Sequence, residues 1–283
     1  MNVAIVTDST AYLPRSFVTE HGIQVVPLHV VIGGTEFSEG VDVTTAEVAV
    51  ALRSFRPVST SRPSPQAFLE AYEKAAAAGA EAIVSVHISA DMSSTVESAH
   101  LAAQQSPVPV TVVDSRSLGM AMGYGVVSGA EAAAKGASVE DVAGVVLSRS
   151  VGSKVVFYVD TLEHLRRGGR IGSASAFLGS ALAIKPILEL AEGHIRPLEK
   201  VRTSSRALAR LEEIAVSAAE GAEHGVDIAV HHLDSATRAE DLAARLRDRV
   251  PTAHEVVVVE LGAVVGAHVG PGTLAVAVSP RTA

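Results

Sequence analysis

The 283-residue chain has no cysteine and no tryptophan, and aromatic residues make up only 4% of it. Without cysteine there are no disulfides, no thiolate zinc site and no thiol nucleophile, which suits a reducing compartment. So few aromatics leave little for base stacking, and a net charge of −8 opposes the basic face that nucleic acid requires. No nucleic-acid partner is expected. Long uncharged apolar runs are missing too. The best candidate, 117–130, is too short to span a bilayer and rich in glycine, so it reads as a closely packed buried helix. Met1-Asn2-Val3-Ala4-Ile5 runs straight into a strand pattern with no cleavable leader, and the cytoplasm is the expected location.

Several catalytic signatures are also absent. No GxxxxGK[ST] loop occurs, and the glycine-rich stretch at 168–172 is neither a P-loop nor a dinucleotide fingerprint, so the usual means of holding ATP are lacking. There is no G-x-S-x-G elbow to present a serine nucleophile, although composition alone leaves a Ser-His-Asp hydrolase open.

What is present is an alternation of strands and helices. Val3–Thr7, Gln24–Val31, Ala82–Ile88 and Val108–Val113 are β-branched runs, separated by helical patterns at 44–54, 65–78, 94–105 and 117–134. This predicts a mostly parallel sheet covered on both faces. From Lys154 the pattern changes. Strands at 154–159, 184–191 and 194–201, the last two joined by Glu192-Gly193, precede helices at 204–220 and 236–249 and strands near 226–232, 254–260 and 273–279. The fold class is therefore α/β in two domains: an N-terminal α/β/α domain, 1–153, and a C-terminal α+β domain with a mixed sheet, 154–283.

Two hydroxyl clusters precede helical segments: Thr60-Ser61-Arg62-Pro63-Ser64-Pro65 and Ser89-Ala90-Asp91-Met92-Ser93-Ser94-Thr95. Hydroxyls beside the unpaired N–H groups of a helix start can seat an anion. The plain alternative is capping. Ser64-Pro65 fits an N-cap, and Ser94 with Glu97 fits a capping box. Capping leaves Thr60, Ser61 and Ser93 without a structural task.

Three strands end in Asp followed by a hydroxyl residue: Asp8-Ser9, Asp114-Ser115 and Asp160-Thr161. Caps explain each pair. A rival reading gathers the three carboxylates around Mg²⁺ in a phosphate-handling hydrolase, with nothing in their spacing to favour it. Arg166, Arg167 and Arg170 flank a glycine-rich loop, Gly168-Gly169-Arg170-Ile171-Gly172, which is either a phosphate approach or a solvated turn. His268 precedes Gly270-Pro271-Gly272, where a lone histidine is commonly structural.

Together these motifs resemble the DegV family, the fatty-acid-binding subunits of bacterial fatty acid kinase. The resemblance runs from Thr7-Asp8-Ser9-Thr10-Ala11 through the Thr60–Pro65 cluster, Ile88–Ala99, Asp160–Gly172 and Val201-Arg202-Thr203 to His268–Leu274. It implies one long-chain fatty acid buried between two domains, with Thr60, Ser61, Ser93 and Ser94 at the carboxylate and His268 and Arg170 in its network. It further implies that Arg202 helps dock a separate ATP-dependent kinase, that contact with a membrane surface is transient, and that the chain is a binding subunit without cofactor, metal or catalysis of its own. Side chains such as Phe177, Leu178 and Leu188 would shape the tunnel. The chain departs from the family pattern at Arg62, commonly Gln, at Ser94, commonly Gly, and at His164, commonly aromatic.

Overall fold

The computed structural model describes residues 1–177 and 184–281. In chain order the elements are β1 (Val3–Asp8), α1 (Arg15–Glu20), β2 (Gln24–Val26), β3 (His29–Ile32), β4 (Thr35–Ser38), α2 (Thr45–Arg53), β5 (Val58–Ser61) and α3 (Pro65–Ala77). There follow β6 (Ala82–His87), α4 (Thr95–Ala103), β7 (Val110–Asp114), α5 (Met120–Ala134), α6 (Val139–Gly152), β8 (Lys154–Tyr158) and α7 (Glu163–Arg167). The rest comprises β9 (Lys185–Ala191), β10 (His194–Val201), α8 (Ser204–Ala219), β11 (Val226–His232), α9 (Ala236–Arg249), β12 (Ala253–Glu260), α10 (Ala263–Val269) and β13 (Leu274–Pro280). The Gln24–Val31 run forms two strands because Pro27 has no N–H to donate to a ladder.

The chain divides into two compact units, Met1–His29 with Ser61–Gly152, and Val30–Thr60 with Ser153–Ala283. The first contains the parallel sheet β2-β1-β6-β7. Strand alternation sends Val6 and Ile83 to a core with Phe68, Tyr72 and Ala99, and Ile5 and Val84 to one with Met122, Val126 and Val146. Helices thus cover both faces. Within α5, Gly125 lets α6 approach closely, since a Cβ there would collide with the Ser150 hydroxyl.

The second unit contains a mixed six-stranded sheet, β10-β9-β8-β13-β11-β12. The β9–β10 hairpin turns at Glu192 and Gly193, both at positive φ. Leu211 and Ala215 of α8 and Leu242 and Leu246 of α9 pack with Val156, Ile228 and Val276 of the sheet.

One expectation needs correcting. Residues 30–60 belong to the second unit, not to a contiguous domain 1–153. The reason is a separate core in which Val30, Ile32, Val43, Val48 and Ala51 pack with Ala263 and Ala267 of α10. Local periodicity announces an apolar face but does not name its partner two hundred residues away.

Polar contacts tie the same segment to α10. Thr45 donates to the Leu261 carbonyl at 3.1 Å, and the buried Glu39 carboxylate accepts the Val264 N–H at 2.8 Å. Glu39 thereby satisfies one of the free N–H groups at the start of α10. Glu39→Ala is expected to leave that donor unpaired and lower stability by about 1–3 kcal/mol. Urea unfolding checks this; an unchanged midpoint would show that water replaces the carboxylate.

Candidate functional site

The Thr60–Pro65 cluster does precede a helix, α3, while Thr60 itself lies on β5, where Val58-Ser59-Thr60-Ser61 pairs into the small sheet β4-β3-β5. Its hydroxyl meets His268 Nε2 at 2.9 Å. His268 stands in the last turn of α10, a helix with Ala263–Ala267 buried. Gly270 ends that helix at φ +79, and the Thr273 hydroxyl donates to the carbonyls of Val269 (3.2 Å) and Gly270 (2.8 Å). Pairing orphan carbonyls in this way fixes the helix end, and the imidazole with it.

Two glycines and two histidines interlock here. The His268 ring lies where a side chain on Gly168 would stand, and the His164 ring lies where one on Gly270 would stand. Gly168 has a helical φ of −75, so its backbone would accept alanine; only the imidazole excludes it. Gly168→Ala is expected to cost about 1–3 kcal/mol by overpacking. In a His268→Ala background it should cost far less, a coupling that a double-mutant cycle by urea unfolding measures. Additive losses would show that the two positions do not compete for space.

The setting keeps His268 neutral. Burial first, and the positive charge of Arg170 second, push its pKa down to about 4. Nδ1 is buried without a hydrogen-bond partner, so a proton there would be stranded. The better assignment places the proton on Nε2, which donates to Thr60 Oγ1 and leaves the Thr60 O–H available to another acceptor. Both groups line a cavity of about 650 Å³, together with Arg56, His164, Arg167 and Arg170. Arg166 and Arg167 are engaged by Glu163 at 2.8 and 2.7 Å, and Arg170 donates to the Gly168 carbonyl at 2.6 Å. A hydroxyl donor among guanidinium groups, with no carboxylate lining the same cavity among the described residues, is suited to an anion.

Burial likewise holds His231 on β11 down to about 4. Below its ordinary value of 6.5 an unfolded imidazole takes up a proton that these folded rings refuse. Their contribution to stability is therefore complete above that pH and is lost progressively as pH falls toward 4. His268→Gln should lose less stability than the parent between about pH 7 and about pH 5, with His231, His232 and His164, all lowered by burial, supplying remaining slope. An unchanged slope in urea unfolding would mean that folded His268 is already protonated.

The second hydroxyl cluster lies in the other unit. The Ser93 and Thr95 hydroxyls are 2.8 Å apart, and Ser93 is half-buried. Ser64 caps α3 by accepting the Ala67 N–H at 3.2 Å. The expected capping box at Ser94 is not formed, because Ser94 makes no side-chain cap and Glu97 instead pairs with Arg62 at 2.8 Å. Arg62 also donates to the Ser94 carbonyl at 3.2 Å. The two departures from the family pattern at 62 and 94 therefore sit together. Ser61 ends β5, where strand alternation turns it to the face opposite Thr60.

The strand-end aspartates are used locally. Asp8 accepts from Thr10, His87 and Ile88; Asp114 accepts from Ala90 and Arg116; Asp160 meets the Tyr158 hydroxyl and Lys185. Among the described residues no three His, Asp or Glu converge as a metal site. The structure does bring Ser85, His87 and Asp8 into hydrolase-like connectivity, a pattern that no sequence motif announces. All three are fully buried, and the Tyr72 hydroxyl occupies Ser85, so no substrate reaches them.

Arg202 is exposed just before α8. Leu188 is buried in β9, Lys200 lies 4.4 Å from the centre of the Phe177 ring, and Leu178 falls outside the described residues. Among the described residues no helix is long and apolar enough to cross a membrane. Sequence reasoning missed β5 and Glu39. The Val58–Ser61 run was too short to stand out as a strand, and a lone Glu carries no pattern.

A sequence pattern described as "Uncharacterised protein, DegV family" matches residues 2–281. A DegV domain-containing protein of Streptomyces coelicolor is 54% identical over 280 residues, covering 99% of both chains. Among solved structures, a DegV family protein from Thermus thermophilus, described by its fatty acid binding, has a TM-score of 0.90 at 35% identity. DegV from Bacillus subtilis, described as a fatty acid binding protein, has a TM-score of 0.90 at 31% identity. Each comparison covers 99% of this chain and 100% of the other.

Proposed function

Because the chain belongs to the DegV family, we propose that it binds one long-chain fatty acid and presents the carboxylate to a separate ATP-dependent kinase. The observation that carries this reading is the Thr60–His268 pair, whose neutral imidazole leaves a hydroxyl proton directed to an anion beside Arg170. The descriptions of the Thermus and Bacillus relatives support a fatty acid as that anion. Thr60, Ser93 and Ser94 supply hydroxyls for the carboxylate, with His268 and Arg170 in its network, while Ser61 faces away from Thr60 on β5.

The labour divides by magnitude. Burying about 15 methylenes at ~0.8 kcal/mol each contributes roughly 12 kcal/mol before the costs of binding. A few charge-assisted hydrogen bonds at ~1.5–3 kcal/mol each are smaller and are offset by desolvating the carboxylate. The tail therefore sets affinity and the head-group contacts set orientation, which phosphoryl transfer requires. In that transfer a carboxylate oxygen attacks the γ-phosphorus of ATP and ADP leaves, giving an acyl phosphate. No P-loop pattern occurs in this sequence, so the nucleotide is assigned to the partner. Exposed Arg202 is assigned to docking it, in the cytoplasm, with transient membrane contact to exchange the acid.

Native mass spectrometry of the purified protein tests the binding reading. One co-purifying mass in the fatty-acid range is expected, retained by Thr60→Val while its kinase-dependent acyl phosphate formation falls. Arg202→Ala should retain that mass while kinase-dependent acyl phosphate formation falls, most visibly at low salt. A protein that neither co-purifies with nor takes up fatty acid would overturn the assignment.

A further inference from the structure

Two of the strand-end aspartates converge on one loop. β6 lies between β1 and β7 in the parallel sheet, and residues 88–94 connect it to α4. Asp8, at the end of β1, accepts the Ile88 N–H through Oδ2 at 3.0 Å. Asp114, at the end of β7, accepts the Ala90 N–H through Oδ1 at 3.2 Å. Between them Ser89 donates its N–H to the Ser117 carbonyl at 2.9 Å, and its own carbonyl accepts from Met92 (2.9 Å) and Ser93 (3.1 Å). The loop is thus pinned at three successive residues before it turns back to present Ser93.

Asp8 is itself oriented by a buried chain. Tyr72 OH lies 2.9 Å from Ser85 Oγ, Ser85 Oγ 2.7 Å from His87 Nε2, and His87 Nδ1 3.1 Å from Asp8 Oδ2. A carboxylate only accepts, so His87 donates to it from Nδ1, and at the far end Ser85 accepts from Tyr72. The other carboxylate oxygen accepts the Thr10 N–H at 3.0 Å and the Thr10 hydroxyl at 2.5 Å. Four donors leave this carboxylate no freedom to swing, and charge-assisted bonds of this kind are the stronger ones. The serine at the far end reaches no solvent, so the relay serves position and not chemistry.

We propose that Asp8, His87 and Asp114 are positioning residues for head-group recognition: they hold the 88–94 loop so that the Ser93 hydroxyl is fixed for the fatty-acid carboxylate. This rests on the fatty-acid reading given above. A carrier with this arrangement obtains head-group order from backbone anchors and keeps its carboxylates occupied by N–H groups, away from the anionic ligand.

The test compares two ligands of one chain length, [1-¹³C]oleic acid and oleyl alcohol. Asp114 is only partly buried and accepts two N–H groups, so Asp114→Ala is the variant of choice. Oleic acid should bind about tenfold more weakly, the size of one lost hydrogen bond to a charged group, with oleyl alcohol changed less than about threefold. The bound carboxyl ¹³C resonance should move toward its position in free oleate. Asp114→Asn keeps one acceptor oxygen and should fall between the parent and Asp114→Ala; it also carries the comparison alone if the alanine variant does not fold. Equal weakening of acid and alcohol would overturn the proposal in favour of general destabilisation. No weakening of either would overturn it as well. A parent protein that binds neither ligand would instead refute the fatty-acid reading, and this inference would fall with it.

Discussion

A neutral, half-buried imidazole whose Nδ1 is shut off from solvent is the constraint on which the described site depends. Burial and Arg170 lower the pKa of His268, and the neutral ring carries one N–H with which to meet Thr60. An imidazolium there would make a stronger ion pair with a carboxylate but would have to be desolvated, and buried charge is costly unless fully compensated. The arrangement leaves positive charge to the guanidinium groups at the exposed side of the cavity. Holding the ring in place is a steric matter. Gly168 supplies the space, Gly270 and Thr273 close the helix that bears it, and Glu39 engages the start of that helix.

These supports are far apart in sequence. Thr60 and His268 are separated by 208 positions, and Glu39 and Val264 by 225. The 30–60 segment leaves the first unit and returns to it, and its apolar residues are stabilised by packing against α10. A polar contact between Thr60 and His268 is precise because the same two segments share a core. Softening that core would loosen the hydroxyl before it unfolded the unit, since binding elements depend on the packing beneath them.

Much of the fold was legible because periodicity is a local property. β1, α3, α8, α9 and the β9–β10 hairpin stand where alternation, caps and turn residues put them. The segment 30–60 was not legible as part of the second unit, because an apolar face does not identify its partner. The site was legible unevenly. Thr60 stood out as a hydroxyl without a capping task, and the structure gives it an imidazole as neighbour. Ser94 was read as a cap, yet its Glu97 partner is drawn off by Arg62, a long-range ion pair that a four-residue motif does not encode. Gly168 looked like one glycine among several in a loop; its role comes from a ring that approaches from α10.

The strand-end aspartates show how one residue pattern can serve opposite chemistries. A carboxylate at the end of a parallel strand is well placed for Mg²⁺, and it is equally well placed to accept N–H groups from the following loop. What separates the two uses is the number of donors already committed. Asp8 has four and Asp114 has two, all from the protein, so neither presents a vacant pair of oxygens to a cation. Under the proposed function this commitment matters, because an open carboxylate near the ligand's own would repel it, whereas one that accepts N–H dipoles is partly screened. Asp8 and Asp114 thus give order to the loop that follows β6 through the Ile88 and Ala90 N–H groups they accept.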